Sequence, residues 1–178
     1  MPSRVRAFLA CSLDGFIAGP HDELDWLPGP DAGVEDTFSP FMAEVGAMLM
    51  GRRTFDVVRG FGGPWPYGET PVFVATSRPI DGAPASVRRV EGATADLVAA
   101  ARLAAGERDV YLDGGVMFRA ALADGLVDEL TLTLVPVVLG AGKRLFAPCA
   151  PVRATLVSSR PIGGGLVQLR YAFGDAPA

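Results

Sequence analysis

Val110-Tyr111-Leu112-Asp113-Gly114-Gly115-Val116-Met117 is a short apolar run that passes through two glycines into a segment of helical spacing. Residues 110–112 predict a buried strand, 113–115 a tight turn and 116–123 a helix. A strand that feeds straight into a helix belongs to a parallel sheet, because parallel neighbours need a long crossover and a helix is the usual one. The pattern repeats upstream. Residues 47–50 form a buried run ending at Gly51, and 52–59 continue as a helix stopped by Gly60 and a Gly/Pro cluster reaching Gly68. Residues 71–75 predict another strand, 87–90 a short one, and the alanine-rich stretch 94–105 a helix capped by Thr94 and stopped by Gly106. This alternation predicts an α/β fold with a largely parallel sheet covered on both faces.

Toward the N-terminus, residues 5–12 predict a buried strand that ends at Asp14-Gly15. Residues 18–36 are rich in Gly, Pro and Asp around Trp26 and Leu27, a long loop of the kind that carries function. Phe38, Phe41, Met42 and Val45 fit one helical face. Toward the C-terminus, Leu130, Leu132 and Leu134 alternate with Thr131, Thr133 and Val135, which is strand periodicity, and Pro136 ends the pairing. Residues 154–159 and 166–173, joined by Gly163-Gly164-Gly165, predict an antiparallel hairpin. No repeat or linker divides the chain, so residues 1–178 read as a single domain.

Composition excludes several classes of function. A net charge of −4 argues against general nucleic-acid binding. Cys11 and Cys149 form no C-x-x-C pair, and His21 is a lone histidine, so no metal site is expected. No run reaches the roughly 18 apolar residues of a membrane span, and the start lacks a signal-cleavage pattern. The expectation is a cytoplasmic protein with no membrane partner. Neither G-x-S-x-G nor G-x-G-x-x-G occurs. Gly140-Ala141-Gly142-Lys143 ends like a phosphate loop, but Arg144 stands where Ser or Thr is needed.

Three strand ends remain as candidate ligand sites. At Gly51-Arg52-Arg53-Thr54, a helix start offers free backbone N–H groups, a hydroxyl and two guanidinium forks to an anion. Asp113-Gly114-Gly115 lets a ligand approach the backbone closely. Thr76-Ser77-Arg78 places hydroxyls and a cation at a strand's carboxyl end, where open α/β sheets bind ligands.

In order and spacing these pieces resemble the dihydrofolate reductase superfamily. The resemblance rests on Ser12-Leu13-Asp14-Gly15-Phe16-Ile17-Ala18, then Leu49-Met50-Gly51-Arg52-Arg53-Thr54-Phe55, then Leu112-Asp113-Gly114-Gly115. Gly125-Leu126-Val127-Asp128-Glu129-Leu130 through Val135-Pro136-Val137-Val138-Leu139-Gly140-Ala141-Gly142, closing on Leu145-Phe146, is similar to the branch that includes the reductase domain of bacterial riboflavin biosynthesis. The resemblance spans residues 4–173 and implies a dihydrofolate reductase-like three-layer sandwich, with a mostly parallel central sheet and an antiparallel C-terminal strand. It implies NADPH as the hydride donor. Gly51, Arg52, Arg53 and Thr54 would hold cofactor phosphates. Thr76, Ser77 and Arg78 would lie near the adenosine 2′-phosphate. Asp113, Gly114, Gly115, Val116 and Met117 would face the pyrophosphate, and Ala10 and Ile17 the nicotinamide, covered by the loop 18–26.

This chain departs from the folate enzymes in two places. Asp113 replaces the first of three glycines, and Val116 stands where a basic residue often follows. Asp36, or Glu35 beside it, would take the place of the acid that protonates the pterin. The family pattern also implies a cis Gly114–Gly115 bond and a homodimer. The leading expectation is thus an NADPH-dependent reductase of a pterin-like, pyrimidine-like or related small heterocycle. A riboflavin-pathway reductase acting on a phosphorylated ribosyl-aminopyrimidine and a non-catalytic NADP(H)-binding module are the alternatives.

Overall fold

The structure, a computed structural model, describes residues 3–29 and 32–174; Pro30 and Asp31 of the predicted loop, and both chain ends, lie outside the described residues. In chain order the elements are β1 (Val5–Ser12), β2 (Phe16–Ala18), α1 (Phe38–Ala43), β3 (Val45–Gly51), α2 (Arg52–Gly60), β4 (Val72–Ala75) and β5 (Val87–Val90). They continue with α3 (Thr94–Ala105), β6 (Asp109–Asp113), α4 (Gly115–Ala123), β7 (Glu129–Val135), β8 (Lys143–Arg144), β9 (Ala154–Pro161) and β10 (Val167–Phe173).

Eight strands form one sheet in the order β5-β4-β3-β6-β1-β7-β10-β9. The first six are parallel, while β10 runs antiparallel to β7 and β9 antiparallel to β10. The predicted α/β sandwich is therefore present. On one face Leu97, Val98, Ala101, Met117, Phe118 and Ala121 of α3 and α4 pack on Ala7, Leu9, Leu49 and Leu112. On the other, Phe41 of α1 and Phe55 of α2 pack on Met48, Met50 and Tyr111. Among the described residues no helix is long and apolar enough to cross a membrane.

Several boundaries differ from the sequence reading, each for a local reason. Val45 opens β3 rather than extending α1, because Asp109 N–H, in the parallel partner β6, donates to Glu44 O at 3.0 Å and begins the ladder there. Gly46 admits the end of α3: a Cβ there would lie 2.5 Å from Ala105 O. Thr94 does not cap α3; Ala93 holds the cap position without a side-chain bond. The ribbon of β2 and β8 escaped the sequence reading because strands of three and two residues carry no measurable period. Thr131 and Thr133, read as the polar half of an alternation, are buried, since β7 lies inside the sheet.

A buried ion cluster pins the base of the sheet. The Arg6 guanidinium, 6 % exposed, reaches Glu129 of β7 at 2.9 Å and Asp109 of β6 at 3.0 Å, and also contacts Glu44. It lies 4.7 Å over the Phe41 ring. Burial opposes charge on Asp109, but hydrogen bonds from Arg4 and Arg6 win and hold its carboxyl below the usual range. Removing one member of such a cluster strands the others without compensation. Arg6→Ala is therefore expected to cost about 3–5 kcal/mol in urea unfolding, and a loss below about 1 kcal/mol, the value of an exposed pair, would contradict the clamp.

Candidate functional site

The strands β4, β3 and β6 are neighbours and end at one level: Gly51 pairs with Ala75, and Met50 with Asp113. The sheet thus brings Gly51-Arg52-Arg53-Thr54, Thr76-Ser77-Arg78 and Asp113-Gly114-Gly115 to one edge. Helices α2 and α4 start there, behind Gly51 and Gly114, and neither start has a side-chain cap. Their first N–H groups are open to an anion. Gly114 turns the chain at φ +85° and ψ 148°. A Cβ on Gly114 would strike Thr54 Oγ1, and one on Gly115 would strike Ile17 Cδ1 and lie 2.8 Å from Arg119 Nη1. The two glycines therefore let Thr54 and Ile17 close on the same turn.

The expected cis bond is absent. Among the described residues no peptide bond is cis, so Gly114–Gly115 is trans. The positive φ of Gly114 makes the bend, which a residue without Cβ adopts readily, whereas a cis bond outside proline costs about 2.5–4 kcal/mol.

Beside this turn the sheet opens. Pairing of β1 with β6 stops at Ala7 and Leu112, while β1 follows β7 to Ser12 and Val135. Arg4 O accepts from Val110 N–H on the β6 side, so alternate residues Phe8 and Ala10 turn their backbone groups the same way, into the gap. Tyr111 plugs its lower end, its hydroxyl 3.0 Å from Phe8 O and 3.2 Å from Asp113 Oδ1. Tyr67 donates to Asp113 Oδ2 at 3.2 Å. Tyr111 carries one proton. It is shared between Phe8 O, the nearer acceptor, and Asp113 Oδ1. Burial pushes the Asp113 carboxyl above the usual range, against the hydrogen bonds from Tyr111 and Tyr67, and pushes both phenols up.

The remaining candidates are placed as follows. Arg52 is held by Asp56 at 2.8 Å and by Pro79 O at 2.7 Å. Arg53 pairs with Asp22 of the loop at 2.8 Å, which draws that loop toward the start of α2. Arg78 donates its N–H to Thr76 Oγ1 at 3.1 Å, and its side chain has no ion pair among the described residues. Ser77 O accepts from Arg89 at 2.8 Å. Val116 is exposed and Met117 buried in the core, so only the backbone of Met117 faces the helix start. Asp36 caps α1 instead of entering the gap: its Oδ1 accepts from Ser39 at 2.9 Å and Phe38 at 3.1 Å. Ser39 and Phe38 hold its exposed carboxyl below the usual range. Asp14 anchors the segment after β7, accepting from Ser12 at 2.6 Å and Gly140 at 2.7 Å, which lowers its carboxyl to about 2.

Residues 3–168 match the family model of the RibD C-terminal domain. The chain belongs to the RibD C-terminal domain family. It is 31 % identical to YyaP of Bacillus subtilis (strain 168), with 94 % of each chain covered. A Shewanella sp. PV-4 protein assigned to riboflavin biosynthesis is 33 % identical and superposes with a TM-score of 0.86, covering 96 % of this chain and 99 % of that one. A dihydrofolate reductase from Enterococcus faecalis, solved with NADP(H), shares the fold at 18 % identity and a TM-score of 0.64, with 98 % and 99 % covered.

In this RibD C-terminal domain the sequence reading missed the two phenols around Asp113. Tyr111 was detectable, two residues before Asp113 on one strand and hence on the same face. Tyr67 comes from a Gly/Pro-rich stretch and carried no local signal. A carboxyl with a raised folded pKa favours the fold at low pH, and that contribution is lost as pH rises through the folded value. Asp113→Asn is thus expected to raise Tm over the native protein at neutral pH, with the difference vanishing below the ordinary aspartate range. Equal Tm values at both pH extremes would show that the carboxyl carries no burial penalty.

Proposed function

We propose that this RibD C-terminal domain is an NADPH-dependent reductase of a pterin-like, pyrimidine-like or related small heterocycle. The observation that carries the reading is the edge where two uncapped helix starts flank a glycine turn, next to a gap between β1 and β6. The residues present fit the cofactor. Gly114, Gly115 and the N–H groups of Val116 and Met117 would receive the pyrophosphate, with Thr54 and the backbone of Gly51, Arg52 and Arg53 beside it. Arg78, with Thr76 and Ser77, would hold the 2′-phosphate, since its guanidinium has no ion pair among the described residues. Ala10 offers backbone groups to the carboxamide of the nicotinamide, and Ile17 its apolar side chain to the ring.

When bound, NADPH supplies the hydride. The chain supplies the proton and the orientation. Asp113 holds the proton between Tyr67 and Tyr111, at the base of the gap, and is the acid in place of Asp36. Family membership favours a second reading, reduction of a phosphorylated ribosyl-aminopyrimidine, and the Shewanella relative points the same way. A non-catalytic NADP(H) module is the outcome if cofactor binds and no heterocycle is reduced.

We read the domain as a cytoplasmic homodimer. Leu130, Leu132, Leu169 and Tyr171 line an apolar groove of about 540 Å³ on the side of the sheet away from α1. Leu156, paired with Tyr171, is 52 % exposed there. A second copy would cover this face. Light scattering is expected to give the dimer mass, and Leu156→Glu the monomer mass; a native monomer at all concentrations refutes this.

A charge-assisted contact to the 2′-phosphate is worth about 1.5–3 kcal/mol, so NADPH is expected to bind about tenfold or more tighter than NADH. Arg78→Ala should narrow that gap without lowering Tm. Calorimetric titration showing equal affinity for the two cofactors would overturn the phosphate assignment.

A further inference from the structure

The start of α4 carries a cation that belongs to none of the three strand-end motifs. Arg119 stands one turn after Gly115, so the two residues share a face of the helix. Its side chain lies back toward the helix start, as long helical side chains do. It comes so close that a Cβ on Gly115 would lie 2.8 Å from Arg119 Nη1. The bare Cα of Gly115 is thus the cradle in which the guanidinium rests. We propose that Arg119 binds the cofactor's pyrophosphate, at the phosphate nearer the nicotinamide. The proposal rests on the reductase reading above.

The half-buried guanidinium is only partly used. Nη1 donates to Arg144 O at 2.6 Å, whereas Nε and Nη2 have no partner and the group has no carboxylate beside it among the described residues. The other arginines of this edge differ, since Arg52 pairs with Asp56 and Arg53 with Asp22. A helix N-terminus is the positive end of its dipole and favours carboxylates. The first turn of α4 holds no acidic residue, and neither does that of α2. A cation without a counter-ion, held against the positive end of a helix, is an arrangement that an anion completes. The spare forked donors suit phosphate oxygens.

The order of strands fixes which phosphate. Along the edge the sheet runs β4-β3-β6-β1. At the turn after β6, Gly114 faces Thr54 of α2, which follows β3, while Gly115 faces Ile17 of β2, which follows β1. Arg119 therefore lies on the β1 side of the turn, with Ala10 and Ile17 for the nicotinamide. Arg78, for the 2′-phosphate, lies on the opposite side, after β4. The bond to Arg144 O adds a second link, because Arg144 of β8 pairs with Phe16 of β2. One guanidinium thus joins the pyrophosphate turn to the ribbon that carries Ile17.

The test is calorimetric titration of NADPH, NADH and adenosine 2′,5′-bisphosphate, which lacks the phosphate on the nicotinamide side. Arg119→Met removes the charge and keeps an apolar chain. It is expected to weaken NADPH and NADH alike, each about tenfold or more, the effect of one charge-assisted contact. The ratio of the two affinities should not change, because both cofactors carry the pyrophosphate. Adenosine 2′,5′-bisphosphate should bind the native protein and the variant equally. Arg119→Lys keeps the charge as a point donor and should hold NADPH within about threefold of native. Arg119→Gln, which keeps a donor for Arg144 O, is a second uncharged variant and should show the same losses as Arg119→Met. A role confined to the bond with Arg144 predicts native affinity in Arg119→Gln, and a loosened site predicts equal losses for NADPH and adenosine 2′,5′-bisphosphate. Either result, unchanged NADPH affinity in both uncharged variants, or a shifted NADPH-to-NADH ratio would overturn the proposal. Failure of the native protein to bind either dinucleotide would overturn the reductase reading itself, and the proposal with it.

Discussion

Arg6 holds three strands together at the base of the sheet, and the rest of the molecule depends on where that clamp stops. Its guanidinium joins β1 to β6 through Asp109 and to β7 through Glu129. One residue further on, at Ala7, the ladder between β1 and β6 ends, and β6 turns into α4 through Gly114. The sheet is therefore closed and charged-paired below, open above. A continuous ladder would satisfy every backbone group of β1 internally and leave nothing to offer a ligand. The gap at Phe8 and Ala10 is what turns a structural sheet into a candidate site.

The electrostatics follow the same division. Carboxylates at the base meet arginines, and Asp109 stays ionised. Asp113, four residues along the same strand, meets two phenols and, among the described residues, no cation, and burial raises its carboxyl. Two aspartates on one strand face thus hold opposite protonation preferences, set by their neighbours rather than by residue type. The uncapped starts of α2 and α4 add positive potential at the edge beside Asp113.

Asp36 and Asp113 illustrate how little local sequence says about a carboxylate's partners. Asp36 sits at the end of a long loop, where an acid near a ligand is easily imagined, yet it precedes a helix and its carboxylate is taken by Ser39 and Phe38. Asp113 looked like one member of a glycine turn. Its environment depends on Tyr67, 46 positions away, which no spacing rule connects to it.

The sequence by itself determined the alternation of strands and helices, because burial on two faces writes continuous apolar runs, and glycines must stand where the chain turns sharply. It also marked three strand ends, two of them, after β3 and β6, followed at once by a helix, and the third, after β4, by the polar turn Thr76-Ser77-Arg78. Tertiary structure alone decided that those three ends lie side by side, through the order β4-β3-β6. It alone decided that β1 leaves β6 at Ala7, and that Phe8 and Thr131, paired across β1 and β7, line a cavity beside α1. These are facts of register between strands distant in the chain. A one-residue shift would turn every one of those side chains to the opposite face, and local sequence carries no record of which partner a strand will meet.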